Sequence, residues 1–142
     1  MTYFCTKFIL CMHSFKIFGM ETIIKKRTTK TTLIDHKIVR TEYENNSIST
    51  ASDVWDSYES YITLSQNNPF KKLIVIGKNA YFDIENHQCN MDRVNPIAEA
   101  FVFDSLPIRL TLLNCKRLIH SKHPWKMFKT EAEAINWLKS VG

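Results

Sequence analysis

The stretch FVFDSLPIRLTLLNCKRLIH, residues 101–120, decides the fold because it carries the end of an apolar strand directly into a long apolar helix. Residues 97–104 (IAEAFVFD) alternate two sets of side chains, which is typical of a strand. Residues 106–119 then place apolar side chains at three- and four-residue spacing, which predicts a helix. Two adjacent lines result: Leu106, Leu110 and Leu113 in one, and Ile108, Leu112, Cys115 and Ile119 in the other. We expect this wide apolar face to pack firmly on a sheet.

Ser105 stands at the junction between this strand and this helix, and two interpretations fit it. As an N-cap, it accepts a hydrogen bond from an amide of the first turn, with Pro107 close to the helix start. As a phosphoacceptor, it would place a phosphate where the helix dipole and free amides favour negative charge. We favour the cap, because serine is among the commonest N-cap residues.

Strands and helices alternate along the rest of the chain. Residues 71–77 (KKLIVIG) indicate a buried strand, because four apolar residues follow one another without a break. The other predicted strands are one or two in 33–43 and one at 125–128. A helix is predicted over 51–66, with Thr50 as cap and Asp53 at N3, and a short polar helix within 83–94. A capping box of Thr130 and Glu133 opens the last helix. This order predicts an α/β fold: a single domain with a mixed, mostly parallel sheet of four to five strands and crossover helices.

Charge is distributed unevenly along the 142 residues, whose formal net charge is +5. Residues 1–35 contain six Lys or Arg against two acidic residues, whereas the remainder contains 13 against 12. The predicted domain is therefore nearly neutral, which argues against a nucleic-acid-binding role, since that role needs a basic face on the domain itself.

Residues 1–32 are predicted to be an N-terminal tail ahead of a domain at 33–142. The longest apolar run in the tail, residues 8–12, is shorter than the core of a signal peptide, and Lys7, His13 and Lys16 exclude a membrane-spanning helix. Whether translation starts at Met1 or at Met20 stays open. The four cysteines lack paired spacing, which predicts free thiols and a cytoplasmic location.

Three segments resemble the C-terminal half of SpoIIAA-like, STAS/SEC14-type bacterial domains. They are AEAFVFDSLPIRLTLLN (98–114), KHPWKMF (122–128) and KTEAEAINWLK (129–139), and residues 70–85 agree more loosely. The resemblance implies a STAS/SpoIIAA-like fold and a non-enzymatic protein that binds a partner protein or a small ligand. In the anti-anti-sigma branch of these domains, the phosphoserine opens an earlier helix. The corresponding junction here, residues 77–85, contains no serine, so that role does not transfer to Ser105.

Catalytic and metal-binding motifs are weak. His87, Cys89, His120 and His123 could approach one ion, but their spacing does not match that of structural zinc sites. The sequence has no nucleophile-elbow motif, no phosphate-binding glycine-rich loop and only three glycines. We therefore expect no metal, no cofactor and no enzymatic activity, and an enzyme that uses the His and Cys residues is the weakest of three hypotheses.

Between residues 105 and 130 the chain is basic and contains no acidic residue. The basic residues are Arg109, Lys116, Arg117, Lys122, Lys126 and Lys129, joined by His120 and His123. They indicate either an ordinary solvated surface or a docking patch for an acidic partner or an anionic lipid head group.

The leading hypothesis is a regulatory or protein-interaction domain whose unknown protein partner binds at this basic surface. Its candidate residues are Arg109, Lys116, Arg117 and His120. The alternative is a module for a small apolar or lipid-like ligand, lined by Phe101, Phe103 and Trp125. Core packing is the competing interpretation of those three aromatic residues.

Overall fold

The computed structural model describes residues 22–35, 37–82, 94–118 and 122–142, without the side chains of residues 82 and 115–118. Six strands form one sheet in the order β1-β2-β3-β5-β7-β8, and β4 and β6 form a separate parallel pair. The strands are β1 (Ile23–Lys25), β2 (Thr29–Ile34), β3 (Ile38–Tyr43), β4 (Ile48–Ser49), β5 (Lys71–Ile76), β6 (Tyr81–Phe82), β7 (Glu99–Val102) and β8 (Trp125–Phe128).

Three helices are described: α1 (Ala51–Ser65), α2 (Leu106–Leu118) and α3 (Glu131–Ser140). The carboxylate of Asp53 accepts a hydrogen bond from the backbone N–H of Thr50 at 2.7 Å, in the capping box predicted for α1. Thr130 Oγ1 accepts a hydrogen bond from the backbone N–H of Glu133 at the start of α3. The predicted helix within residues 83–94 lies outside the described residues, apart from its last position.

The mixed, mostly parallel sheet that the sequence predicts is confirmed. Strands β3, β5, β7 and β8 are parallel to one another, while β1, β2 and β3 are antiparallel neighbours. The sheet has six strands rather than four to five, and it starts at Ile23, within the range predicted as tail. Strand β2 (TKTTLI) begins four residues ahead of the range 33–43 in which the sequence predicts one or two strands, and this first part buries threonines instead of alternating apolar and polar residues. Threonine is β-branched and suits a strand, but it carries no hydrophobic signal.

Apolar side chains are buried on both faces of the sheet. On one face Tyr43, Ile74 and Phe101 pack with Leu112 of α2. On the other face Leu73 and Ala100 pack with Leu138 of α3. Burial on both faces explains the unbroken apolar run of β5.

Candidate functional site

An open cleft of about 600 Å³ lies at the carboxyl ends of β7 and β8, beside the first turns of α2 and α3. Its lining residues are Phe103, Asp104, Ser105, Leu106, Arg109, Trp125, Lys126, Met127, Phe128, Lys129 and Glu133. The carboxyl ends of parallel strands are the usual position of ligand sites in open α/β sheets, because the chain there turns away from the sheet into the helices.

The segment that leaves β7 forms one wall of this cleft. The backbone N–H of Phe103 donates a hydrogen bond to the carbonyl of Phe128 at 3.3 Å, which extends the β7–β8 pairing by one position. The carbonyl of Ser105 accepts a hydrogen bond from the N–H of Arg109 at 3.1 Å. Ser105 is therefore in the N-cap position that the sequence predicts, half-buried at the cleft wall.

The three aromatic residues of the ligand hypothesis are placed differently. Phe103 and Trp125 line the cleft. Phe101 is buried in the core, where its ring meets that of Trp125 edge-on at a centroid distance of 5.4 Å. Phe101 therefore contacts Trp125 from the core and does not belong to the cleft lining.

The four residues of the partner hypothesis are described only in part. Arg109 is exposed and lines the cleft with Lys126 and Lys129. Lys116 and Arg117 belong to the last turn of α2, but their side chains lie outside the described residues, as does the whole of His120. The cleft brings Arg109 together with Phe103 and Trp125, so members of both predicted sets meet in one place.

Helix α2 exposes a line of three leucines, which we call the leucine stripe: Leu106, Leu110 and Leu113. Their side chains are 67%, 52% and 38% exposed, respectively. The expectation that this line packs on the sheet is wrong: among the described side chains of α2, Ile108 and Leu112 make that contact, and the three leucines are exposed. The sheet reaches only one side of the helix, so the second line is left facing outward. Leu106 belongs both to the stripe and to the cleft wall.

A second cluster, buried and polar, lies at the amino ends of β5, β7 and β8. Lys72 and Glu99 are register partners on neighbouring strands, with Nζ and Oε1 3.8 Å apart. Glu99 Oε2 lies 3.0 Å from His123 Nε2, and Lys72 Nζ lies 4.0 Å from the centroid of the Tyr61 ring in α1. The Lys72 side chain has no exposed surface. Burial lowers the pKa of Lys72 to about 7, although the charge of Glu99 raises it.

This buried cluster was missed because its residues carry no local signal. Lys72 lies in an apolar strand and Glu99 in an alternating one, and only the strand register brings them together. His123, a weak metal candidate, contacts the Glu99 carboxylate instead. Within the described part of the chain, His, Cys, Asp and Glu side chains form no group of three or more that could hold a metal ion. The cluster joins three strands and α1 through buried polar contacts.

The fold and the cleft define a single-sheet α/β domain with an open site at the carboxyl ends of two parallel strands. No family model matches the chain, and no curated protein matches it. A solved structure of an uncharacterised DUF3478-family protein from Shewanella loihica, described as having a SpoIIAA-like fold, is 10% identical with a TM-score of 0.48. The similarity covers 84% of this chain and 92% of that chain.

None of the described helices is long and apolar enough to cross a membrane.

Proposed function

We propose that the protein is a non-catalytic regulatory or protein-interaction domain of the cytoplasm, and that the leucine stripe is the surface on which its partner docks. The observation that carries this proposal is the exposure of Leu106, Leu110 and Leu113 on a helix that already packs on the sheet through Ile108 and Leu112. Exposed apolar groups that adjoin one another, bordered by polar residues, are typical of protein interaction sites.

The composition of the cleft supports a binding role over a catalytic one. Its described lining contains Ser105 but no His or Cys, so none of the described lining residues offers that serine an imidazole to accept its proton. The buried cluster of titratable residues, Lys72, Glu99 and His123, lies instead at the opposite ends of the strands.

The test is capture of a partner from the native host by the full chain. Leu106→Ser/Leu110→Ser is compared with wild type and with Ile23→Ser, a matched control that removes a 45% exposed apolar side chain at the far edge of the sheet. We expect the stripe variant to lose at least one protein that wild type and the control both retain after cross-linking. Identical sets from all three proteins would contradict the proposal. Circular dichroism spectra must first agree, so that loss of binding is not loss of fold.

A small apolar or lipid-like ligand is the second candidate, favoured by the cleft itself. Its volume of about 600 Å³ falls within the range of ligand pockets, and its walls combine Phe103, Trp125 and Met127 with cationic side chains. Native mass spectrometry of the purified protein distinguishes the candidates. A retained small molecule that Trp125→Ala loses supports the ligand; a clean apo mass favours the partner protein.

A further inference from the structure

We infer that the partner at the leucine stripe presents an acidic amphipathic helix, whose apolar side packs on the leucines and whose carboxylates meet the surrounding cations. This inference rests on the proposed function and adds the chemistry of the partner.

The charge around the stripe is predominantly positive. Helix α2 carries Arg109, Lys116 and Arg117 and no acidic residue. Lys126 and Lys129 are exposed and line the cleft together with Leu106 and Arg109. Asp104 and Glu133 are the two carboxylates in the lining of the cleft, at one end of the stripe. Surfaces of complementary potential associate faster and more selectively, so this surface favours a negatively charged partner.

The dimensions of the stripe fit a short helix. Leu106 and Leu113 are seven residues apart, about 10 Å along the axis of α2. Leucines at relative positions 0, 4 and 7 form the pattern by which one amphipathic helix packs along another. The cleft next to Leu106 can accept one larger side chain of the partner, which would act as an anchor.

Two other occupants fit less well. A second copy of this chain would bring two basic α2 helices face to face, and like charges across an interface are unfavourable. An anionic bilayer would match the charge, but a flat surface leaves the concave cleft beside Leu106 unfilled. A protein helix satisfies the charge, the stripe and the concavity together.

The test uses three synthetic peptides of about 15 residues, long enough for a helix to form on binding. The first has leucines at helical spacing with glutamates elsewhere, the second has lysines in place of the glutamates, and the third is a scramble of the first. Binding to the full-length protein is measured by fluorescence anisotropy at low and high ionic strength. We expect the acidic amphipathic peptide to bind best, and more weakly as salt rises.

Variants of the protein separate the apolar contribution from the ionic one. Leu110→Ser and Arg109→Glu should each weaken binding of the acidic peptide roughly tenfold, the ratio that corresponds to about 1.4 kcal/mol. Ile23→Ser and Lys37→Glu change exposed residues away from α2 and should leave binding unchanged. The inference is supported if peptide binding is weakened in Leu110→Ser and Arg109→Glu and is unchanged in the two control variants.

Several results would overturn it. Equal or better binding of the lysine peptide, equal binding of the scramble, binding insensitive to salt, or no peptide binding at all would each show that the partner is not an acidic amphipathic helix. Sedimentation with vesicles of phosphatidylcholine and phosphatidylglycerol, in the absence of peptide binding, would assign the stripe to a membrane. The inference then fails, while the proposed function is judged separately by stripe-dependent capture of a host protein.

Discussion

Replacement of Lys72 by methionine should change how stability depends on pH. The Lys72 side chain is wholly buried, and burial lowers its pKa from 10.5 to about 7. Between these values the unfolded chain binds a proton at Lys72 that the native protein lacks. The free energy of unfolding therefore rises with pH, by about 1.4 kcal/mol per pH unit. The contribution sums to about 3 kcal/mol between about pH 7 and pH 9.5.

Lys72→Met removes this titration while it keeps a side chain of similar length in the same space. We expect the stability of the variant relative to wild type to be greatest near neutral pH and to fall by about 3 kcal/mol toward about pH 9.5. The upper limit is chosen because most tyrosines of the unfolded chain are still protonated there. At higher pH the buried Tyr43 and Tyr61, whose pKa is raised by burial, would ionise on unfolding and lower the stability of both proteins.

The assay is urea unfolding across this pH range at constant ionic strength, followed by circular dichroism. Lys37→Met, at an exposed position, serves as the matched control and should run parallel to wild type. A second variant, Lys72→Met/Glu99→Gln, also removes the buried carboxylate, so that its charge does not complicate the comparison. If Lys72→Met also runs parallel to wild type, the lysine keeps its proton when buried. The contacts with Glu99 and the Tyr61 ring would then outweigh the cost of burial, and the reasoning would be refuted.

Three further changes test other parts of the fold by urea unfolding. Gly77→Ala would place a Cβ 2.4 Å from the carbonyl oxygen of Tyr43, so we expect a loss of about 1–3 kcal/mol; unchanged stability would contradict this close approach. The two hydrogen bonds between Arg40 and Glu131, of 2.7 and 3.0 Å, join β3 to α3. A double-mutant cycle with Arg40→Met and Glu131→Gln should give a coupling of about 1 kcal/mol, and zero coupling would assign the pair no role in stability. Asp53→Asn should cost about 1 kcal/mol near neutral pH. The partner Arg27 lowers the pKa of the Asp53 carboxyl in the native protein. The stabilisation by Asp53 is therefore fully present above the pKa of the unfolded chain and is lost as the pH falls through the lower pKa of the native protein. If Asp53→Asn costs as much stability in acid as near neutral pH, the ion pair is contradicted.

Elements with strong local patterns could be predicted from the sequence. Strand β8 matches its predicted bounds, and β5 and α1 each end one residue earlier than predicted. Thr130 caps α3 as expected. These elements depend on spacing and capping chemistry within about a dozen residues, which a single chain displays without any tertiary information.

The leucine stripe could not be predicted in the same way. The line with Ile108 and Leu112 and the line with Leu106 and Leu110 are equally apolar in sequence. Only the orientation of α2 on the sheet directs the first line to the core and leaves the second exposed. Helical periodicity shows that an apolar face exists, but it does not show how much of that face the rest of the domain covers.

The alternation of strands and helices, the caps and the mostly parallel sheet could be predicted from the sequence, because they follow from short-range periodicity and connection rules. The different surroundings of the adjacent residues Lys71 and Lys72, in contrast, follow from the folded sheet. Strand alternation directs Lys71 to one face, where its ammonium donates to the carbonyl of Leu138, and Lys72 to the other, beside Glu99. Residues far apart in the chain become partners through strand register. The buried polar cluster and the cleft at the opposite strand ends therefore exist only in the folded chain.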